Sequence, residues 1–101
     1  MVKISDKKIL IVDDDKDFLW ILRQSFGNKG FNVNYAIDGE TAVALAKKET
    51  PDLILLDIQM PGISGLEVAK RLLEAGINSQ IIFLTNLMDA DNISNAMEIS
   101  R

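Results

Sequence analysis

Residues 52–65 read Asp-Leu-Ile-Leu-Leu-Asp-Ile-Gln-Met-Pro-Gly-Ile-Ser-Gly, and this stretch decides the fold of the chain. Leu53 to Leu56 are apolar at every position, which is typical of a short strand buried on both faces of a sheet. The run ends at Asp57, and burying a carboxylate without a partner costs several kcal/mol. We therefore expect Asp57 either at the water-exposed carboxyl edge of the sheet or next to a cation. Pro61-Gly62 then predicts a turn, so that a loop begins beside the carboxylate.

Three other runs predict strands. Lys8 to Val12 is apolar from its second residue onward and ends in Asp13-Asp14-Asp15. Phe31 to Ala36 alternates apolar residues with asparagine, as expected of an edge strand. Gln80 to Leu84 is apolar after its first residue and is followed by Thr85. The first, third and fourth runs are apolar on both faces, so we expect them inside the sheet.

Between these runs the apolar residues recur with the period of a helix. A first helix is predicted from Asp15 to the stop signal at Gly30. Its predicted buried face consists of Phe18, Leu19, Ile21, Leu22 and Phe26. A second helix is predicted from Asp38-Gly39 to Thr50-Pro51, because the residue before a proline disfavours helix. Its predicted inner face is small and consists of Ala42, Leu45 and Ala46.

A third helix is predicted after the loop. Ser64 is suited to cap its N-terminus, Glu67 completes a capping box, and Gly76 ends it. Its predicted inner face consists of Leu66, Ala69, Leu72 and Leu73. A weaker helical pattern runs over Asp89 to Arg101.

Strands and helices therefore alternate along the whole chain, with short connections. Such alternation predicts one α/β domain over residues 1–101, with a parallel sheet, right-handed crossovers and helices on both faces. Ligands of such open sheets bind beyond the carboxyl ends of the strands. Four side chains able to take part in chemistry follow those ends: Asp13, Asp14, Asp57 and Thr85.

Composition excludes several classes of function. The 101 residues are 48% hydrophobic, which is enough for the core of one domain. A net charge of -4 argues against a nucleic-acid surface, which needs clustered lysine and arginine. Without cysteine or histidine the chain has no disulfide, no thiolate or imidazole metal ligand and no Ser-His-Asp catalysis. No apolar run reaches the roughly 18 residues of a membrane span, and residues 1–8 lack the apolar centre of a signal peptide, so we expect a cytoplasmic protein.

The acidic residues at the strand ends suggest phosphoryl chemistry. Crowded carboxylates raise one another's pKa, and a cation resolves their repulsion. An all-oxygen site suits Mg2+ ahead of Mn2+ or Ca2+, and an aspartate beside that ion can act as a nucleophile towards phosphorus. Simpler interpretations stay open for single residues: Asp14 or Asp15 as a helix cap, and Thr85 as an ordinary strand residue. The conjunction of acids after two strands with a hydroxyl after a third favours the phosphoryl interpretation.

Three segments resemble the receiver domain of bacterial two-component response regulators: Ile9 to Asp14, Asp52 to Gly65 and Ile81 to Thr85. The Asp-x-x-Met-Pro-x-x-x-Gly pattern that starts at Asp57 is the most specific part of this resemblance. The family resemblance implies a flavodoxin-like, doubly wound parallel sheet with its four strands in the order 2-1-3-4. It also implies that the fifth strand and fifth helix of a receiver are missing here.

The resemblance assigns roles to particular residues. Asp57 would be the phosphoacceptor and Thr85 the switch hydroxyl. Asp14 would bind Mg2+ directly, Asp13 largely through water, and the backbone carbonyl of Gln59 would complete the protein ligands. The phosphoryl group would come from a sensor histidine kinase or a phosphotransfer protein, because this chain contains no histidine.

Two departures from the family pattern bear on function. Asn86 follows the switch threonine where receivers usually carry a small residue, which would alter access to the phosphoryl site. The sequence stops at Arg101, before the fifth strand and the phosphate-binding lysine of receivers. We therefore expect the fourth strand to be an exposed edge and the chain to self-associate through it.

Three functions compete at this point. The first is a receiver that takes a phosphoryl group on Asp57 and signals by protein contact, without being an enzyme beyond its own phosphorylation and dephosphorylation. The second is a truncated or engineered receiver fragment that acts as a non-phosphorylated interaction module, which the missing lysine favours. The third, an aspartyl-phosphate hydrolase, requires an acid where Gln59 stands and ranks last.

Overall fold

The computed structural model describes residues 3–84, so the predicted last helix over 89–101, Thr85 and Asn86 lie outside the described residues. Within this range the strands are β1 (Lys8–Val12), β2 (Asn32–Ala36), β3 (Leu53–Asp57) and β4 (Gln80–Leu84). The helices are α1 (Lys16–Asn28), α2 (Gly39–Glu49) and α3 (Gly65–Glu74), with one 3-10 turn over Ile4–Asp6 before β1. The elements predicted within residues 3–84 are all present.

The four strands form one parallel sheet in the order β2-β1-β3-β4. This arrangement confirms the predicted flavodoxin-like order. β1 bonds to β2 on one side and to β3 on the other, with Ile9 opposite Val33 and Leu53. The central position of β1 and β3 explains why these strands are apolar on both faces.

Two apolar layers cover the sheet, one on each face. The layer on the side of α1 contains Ile9, Ile11 and Leu55 of the sheet and Leu19 of the helix. The layer on the side of α2 and α3 alternates with it along β1 and β3, and its sheet members include Leu10, Val12, Ile54 and Leu56. Ile11, Ile54 and Leu56 are fully buried, and each stabilises the fold by about 1.5–3 kcal/mol relative to an exposed side chain.

The predicted buried face of α1 is only partly correct. Leu19 is buried, and Leu22 and Phe26 pack against the core, as expected. Phe18 and Ile21 are instead 38% and 53% exposed. Both residues lie beside the stripe of α1 that packs on the sheet. Among residues 3–84, α1 is the only helix on this face of the sheet, so no neighbouring helix covers them.

The predicted inner face of α3 is also shifted. Ala69 and Leu72 are buried as expected, but Leu73 is 70% exposed. Val68, which the sequence did not place inward, is completely buried. Gly65, Val68, Ala69 and Leu72 form one stripe at helical spacing, and Leu73 lies outside it.

The predicted helix boundaries are correct. Asp15, Asp38 and Ser64 each accept a hydrogen bond from a backbone N–H in the first turn of the helix that follows. Gly76, just after α3, has a φ of 77°, which is the left-handed conformation that glycine tolerates best. The first half of the predicted capping box is present, since Ser64 Oγ accepts from the N–H of Glu67 at 3.2 Å.

β4 forms one edge of the sheet that the structure describes. Its backbone pairs with β3 in register from Gln80 to Leu84. Gln80 is exposed and the side chain of Ile82 is 47% exposed, so β4 is less buried than its composition predicted. Over residues 3–84, no helix combines the length and the hydropathy that a membrane crossing requires.

Candidate functional site

Three carboxylates meet at the carboxyl edge of the sheet. Val12 lies opposite Leu56 in the parallel register of β1 and β3, so the aspartates that follow them leave the sheet side by side. One carboxylate oxygen from each of Asp13, Asp14 and Asp57 lies within 4.8 Å of the other two. The structure thus brings together the three acids that the sequence predicted.

Backbone hydrogen bonds position the first acid. Asp13 is 6% exposed, its N–H donates to the carbonyl of Ala36 at 3.1 Å, and its Oδ1 accepts from the N–H of Asp15 at 2.9 Å. The side chain of Asp15 in turn caps α1, accepting from the N–H groups of Asp17 and Phe18. The capping interpretation therefore holds for Asp15, whereas Asp14 belongs to the acidic cluster.

The loop after β3 positions the second acid. Asp57 Oδ1 accepts a hydrogen bond from the N–H of Gln59 at 3.1 Å. The N–H of Gly65 donates to the carbonyl of Ile58 at 2.9 Å, which closes the loop of residues 58–64 on the end of the strand. A Cβ built on Gly65 would overlap the backbone oxygen of Asp57, so only glycine allows α3 to start this close to β3.

The electrostatics of the cluster disfavour full ionisation. Burial raises the pKa of Asp57 to about 7, the negative charge of Asp13 adds to the rise, and the hydrogen bond from Gln59 opposes it. Burial also raises the pKa of Asp13, with further contributions from the charges of Asp14 and Asp15. Near neutral pH Asp57 is therefore partly protonated unless a cation binds beside it.

The donor set fits a hard divalent cation. Two oxygens bound to one Mg2+ at 2.0–2.1 Å lie at most about 4.2 Å apart, and the carboxylate oxygens of the cluster already lie within 4.8 Å of one another. The spacing therefore suits one hard cation that carboxylates of the cluster hold directly or through water. Oxygen ligands of this kind suit Mg2+, Mn2+ or Ca2+ and do not favour zinc or copper.

Of the two other predicted residues, only Gln59 is described by the structure, and it lies next to the cluster. Gln59 lies two residues beyond Asp57 and its N–H binds that carboxylate. Thr85 lies outside the described residues; the residue before it, Leu84, is opposite Asp57 in the register of β3 and β4. The roles assigned to Gln59 and Thr85 remain predictions.

Sequence reasoning missed a contact between α2 and the loop of residues 58–64. Gly39, the first residue of α2, is buried against Ile63 of that loop and Val68 of α3. The only signal in the sequence was a glycine at a helix start, where many residue types would serve. The contact joins residues distant in sequence, so local patterns did not indicate it.

The chain resembles known proteins over almost its entire length. The model of the family described as the response regulator receiver domain matches residues 9–100. The sporulation initiation phosphotransferase F of Bacillus subtilis is 35% identical over 94 residues, which are 93% of this chain and 76% of that protein. The alkaline phosphatase synthesis transcriptional regulatory protein PhoP of Bacillus subtilis is 40% identical over 80 residues, or 79% of this chain. The chain spans only 33% of the length of PhoP.

Solved structures agree with the sequence comparison. The response regulator protein TrrA from Thermotoga maritima, in complex with Mg(2+)-BeF, superposes with a TM-score of 0.79 at 35% identity. The match covers 89% of this chain and 79% of the TrrA chain. At this level of likeness the part of this chain over residues 3–84 shares the fold of TrrA.

Proposed function

This chain belongs to the response regulator receiver domain family, and from that membership we propose that Asp57 accepts a phosphoryl group in a Mg2+-dependent reaction. The observation that carries the proposal is the meeting of Asp13, Asp14 and Asp57 within 4.8 Å at the end of β1 and β3. A partner protein would then read the changed surface by direct contact. In this role the chain is a phosphoacceptor that catalyses at most its own phosphorylation and dephosphorylation.

The residues of the cluster have distinct parts in this proposal. Asp14, Asp57 and the backbone carbonyl of Gln59 would hold Mg2+, and Asp13 would act on it largely through water. When bound, Mg2+ neutralises charge as the phosphoryl group is transferred. The N–H of Gln59 keeps the Asp57 carboxylate in a fixed orientation through Oδ1. Thr85 would donate its hydroxyl to a phosphoryl oxygen.

The transfer itself requires an ionised Asp57. One of its carboxylate oxygens forms a new bond to phosphorus while the bond between phosphorus and the donor's leaving atom breaks. The leaving group departs with that electron pair. Since the pKa of Asp57 is raised to about 7 by burial and by Asp13, a bound cation would keep this carboxylate ionised at neutral pH.

The donor is proposed to be a phosphohistidine on another protein. The 101 residues contain no histidine, so the phosphohistidine would belong to a sensor histidine kinase or a phosphotransfer protein. The similarity to a protein named a sporulation initiation phosphotransferase supports this class of partner. We place the encounter in the cytoplasm, where kinases obtain ATP.

Intact mass spectrometry after incubation with Mg2+ and acetyl phosphate tests the proposal. We expect one phosphoryl adduct on the parent chain and none on Asp57→Asn. Asp38→Asn is the matched control, because it makes the same chemical change at a helix cap outside the cluster, where asparagine caps equally well. An adduct that persists in Asp57→Asn, or no adduct on a parent chain that binds Mg2+, would contradict the proposed reaction.

One observation favours a second role, self-association through β4. The edge of β4 away from β3 is unpaired within residues 3–84, and Ile82 on it is 47% exposed. Such an edge can add a strand from another chain. Light scattering at high micromolar concentration would give a dimer mass for the parent chain and a monomer mass for Ile82→Lys if this role is correct. A monomer mass for both the parent chain and Ile82→Lys would contradict self-association through β4.

A further inference from the structure

α2 begins at Gly39, and this residue is packed against the loop that follows Asp57. A Cβ built on Gly39 would overlap Cγ1 of Ile63 and lie 2.9 Å from its Cδ1 and 2.8 Å from Cγ2 of Val68. Cβ atoms in proteins essentially never approach other atoms so closely. Gly39 thus leaves a slot in the surface of α2, and the side chain of Ile63 fills it.

Space, and not backbone conformation, is the reason for a glycine here. The glycines of the described residues with positive φ are Gly30, Gly62 and Gly76, and Gly39 is not among them. An alanine could adopt the backbone of Gly39 and would favour the helix by its intrinsic propensity. What it could not do is leave room for Ile63.

The slot holds Ile63 in the second half of the loop, and Ile63 also packs against the apolar layer on the side of α2 and α3. The two ends of the loop are joined by the hydrogen bond from Gly65 N–H to the Ile58 carbonyl, and Ile58 is 2% exposed. Between these ends Gly62 turns the chain with a φ of 81°. Ile63 then packs against Gly39 at the start of α2 and against the core cluster that includes Val68 of α3.

We propose that Gly39 is a positioning residue for the acidic site, because the slot that receives Ile63 sets the path of the loop that carries Gln59. The inference rests on the function proposed above, in which Gln59 completes the Mg2+ ligands. Gly39 lies on α2 and would act through Ile63, without touching the cation or the phosphoryl group. A methyl group at position 39 displaces Ile63, and the displaced loop moves Gln59 relative to Asp57.

Calorimetric titration of the purified chain with Mg2+ tests this coupling. Gly39→Ala is expected to weaken Mg2+ binding about tenfold, the size of effect that groups supporting a metal ligand usually have. Gly27→Ala is the matched control, since a Cβ on Gly27 meets nothing within 4 Å. The control is expected to bind Mg2+ as the parent does.

A second substitution distinguishes positioning from a general loss of stability. Ile63→Ala removes the carbons that a methyl on residue 39 would overlap, so Gly39→Ala/Ile63→Ala should recover Mg2+ affinity relative to Gly39→Ala alone. Recovery is expected to be incomplete, because Val68 also lies close to the added methyl. If Gly39→Ala only lowers the melting temperature and leaves the Mg2+ affinity of the folded protein unchanged, the proposal is overturned.

The Mg2+ affinity of Ile63→Ala and the amide NMR shift of Gln59 provide two further measurements. If Gly39→Ala does not fold, Ile63→Ala alone decides: a several-fold loss of Mg2+ affinity supports the coupling, and parent-like affinity overturns it. The amide NMR shift of Gln59, recorded without Mg2+, follows the loop directly and should move in Gly39→Ala but not in Gly27→Ala. If the parent binds no Mg2+, the proposed function fails, and this shift still decides whether Gly39 positions the loop.

Discussion

Val12 and Leu56 lie opposite each other in the parallel pairing of β1 and β3. Each is followed by an aspartate, and the parallel register carries both aspartates to the same edge of the sheet. The acidic cluster is therefore a direct result of strand order. An antiparallel pairing of the same two strands would have put Asp13 and Asp57 at opposite edges.

Removing the charge of Asp57 is expected to stabilise the protein in the absence of divalent cations. The raised pKa of Asp57 means that its ionised form is less favourable in the folded than in the unfolded chain. Asp57→Asn should raise the free energy of unfolding at pH 7.5 by about 1 kcal/mol, a figure reduced for solvent screening of a partly exposed group. Urea denaturation in EDTA measures this.

The pH dependence of that difference identifies its cause. The folded pKa of Asp57 is raised from 3.8 to about 7. Between these values the folded chain holds more protons than the unfolded one, so stability falls as pH rises and is lowest above about 7. The free energy of unfolding of Asp57→Asn should exceed that of the parent by a margin that grows as the pH rises from 3.8 to about 7. A margin that stays constant over this pH range would contradict the electrostatic explanation.

Binding of Mg2+ should weaken as pH falls below about 7. The cation requires the ionised form of Asp57, and protons compete for it once the pH is below its raised pKa of about 7. We expect up to about a tenfold weaker binding per pH unit below that value. Titration calorimetry at three pH values on either side of it measures the change. Affinity that does not depend on pH would mean that Asp57 does not bind the ion.

Glycine at position 65 should be essential for stability. Gly65→Ala forces a methyl group into the backbone of Asp57, and such overpacking costs about 1–3 kcal/mol or more. Gly27→Ala makes the same chemical change inside α1 at an open position, where it should stabilise by about 0.5–1 kcal/mol. Thermal denaturation of the two variants and the parent should show a lower melting temperature for Gly65→Ala and a higher one for Gly27→Ala. Equal effects from the two variants would contradict the steric explanation.

Relief of strain is expected at Thr50. This residue ends α2 with a φ of 43°, the left-handed conformation that a β-branched residue adopts at a cost. Thr50→Gly should raise the free energy of unfolding by up to about 1 kcal/mol, since glycine takes this conformation freely. Chemical denaturation measures it. A loss of stability would show that the hydrogen bond from Thr50 Oγ to the Glu49 carbonyl outweighs the strain.

Strand positions and the acidic cluster could be predicted from the sequence. Lys8 to Val12 and Gln80 to Leu84 were predicted with their observed bounds, because short apolar runs ending in polar residues leave little choice of boundary. The convergence of Asp13, Asp14 and Asp57 followed from parallel topology alone.

Helix faces could not be predicted as well. In α3 several apolar residues compete for the buried stripe, and packing selected Val68 and left Leu73 exposed. In α1 the exposure of Ile21 depends on what lies beside the helix, which periodicity does not contain. The contact of Gly39 with Ile63 depends on the packing of two distant segments, and a glycine at a helix start does not indicate which segment it meets.

The crowded carboxylates at one edge of the sheet lower the stability of the folded domain, yet the proposed phosphorylation depends on them. Neutral substitutions at Asp57 are expected to make the fold more robust while abolishing the proposed phosphorylation, so selection for robustness alone would erase the cluster. To stabilise this domain without losing the proposed function, substitutions should be made at Gly27 or Thr50, and the three aspartates should be kept.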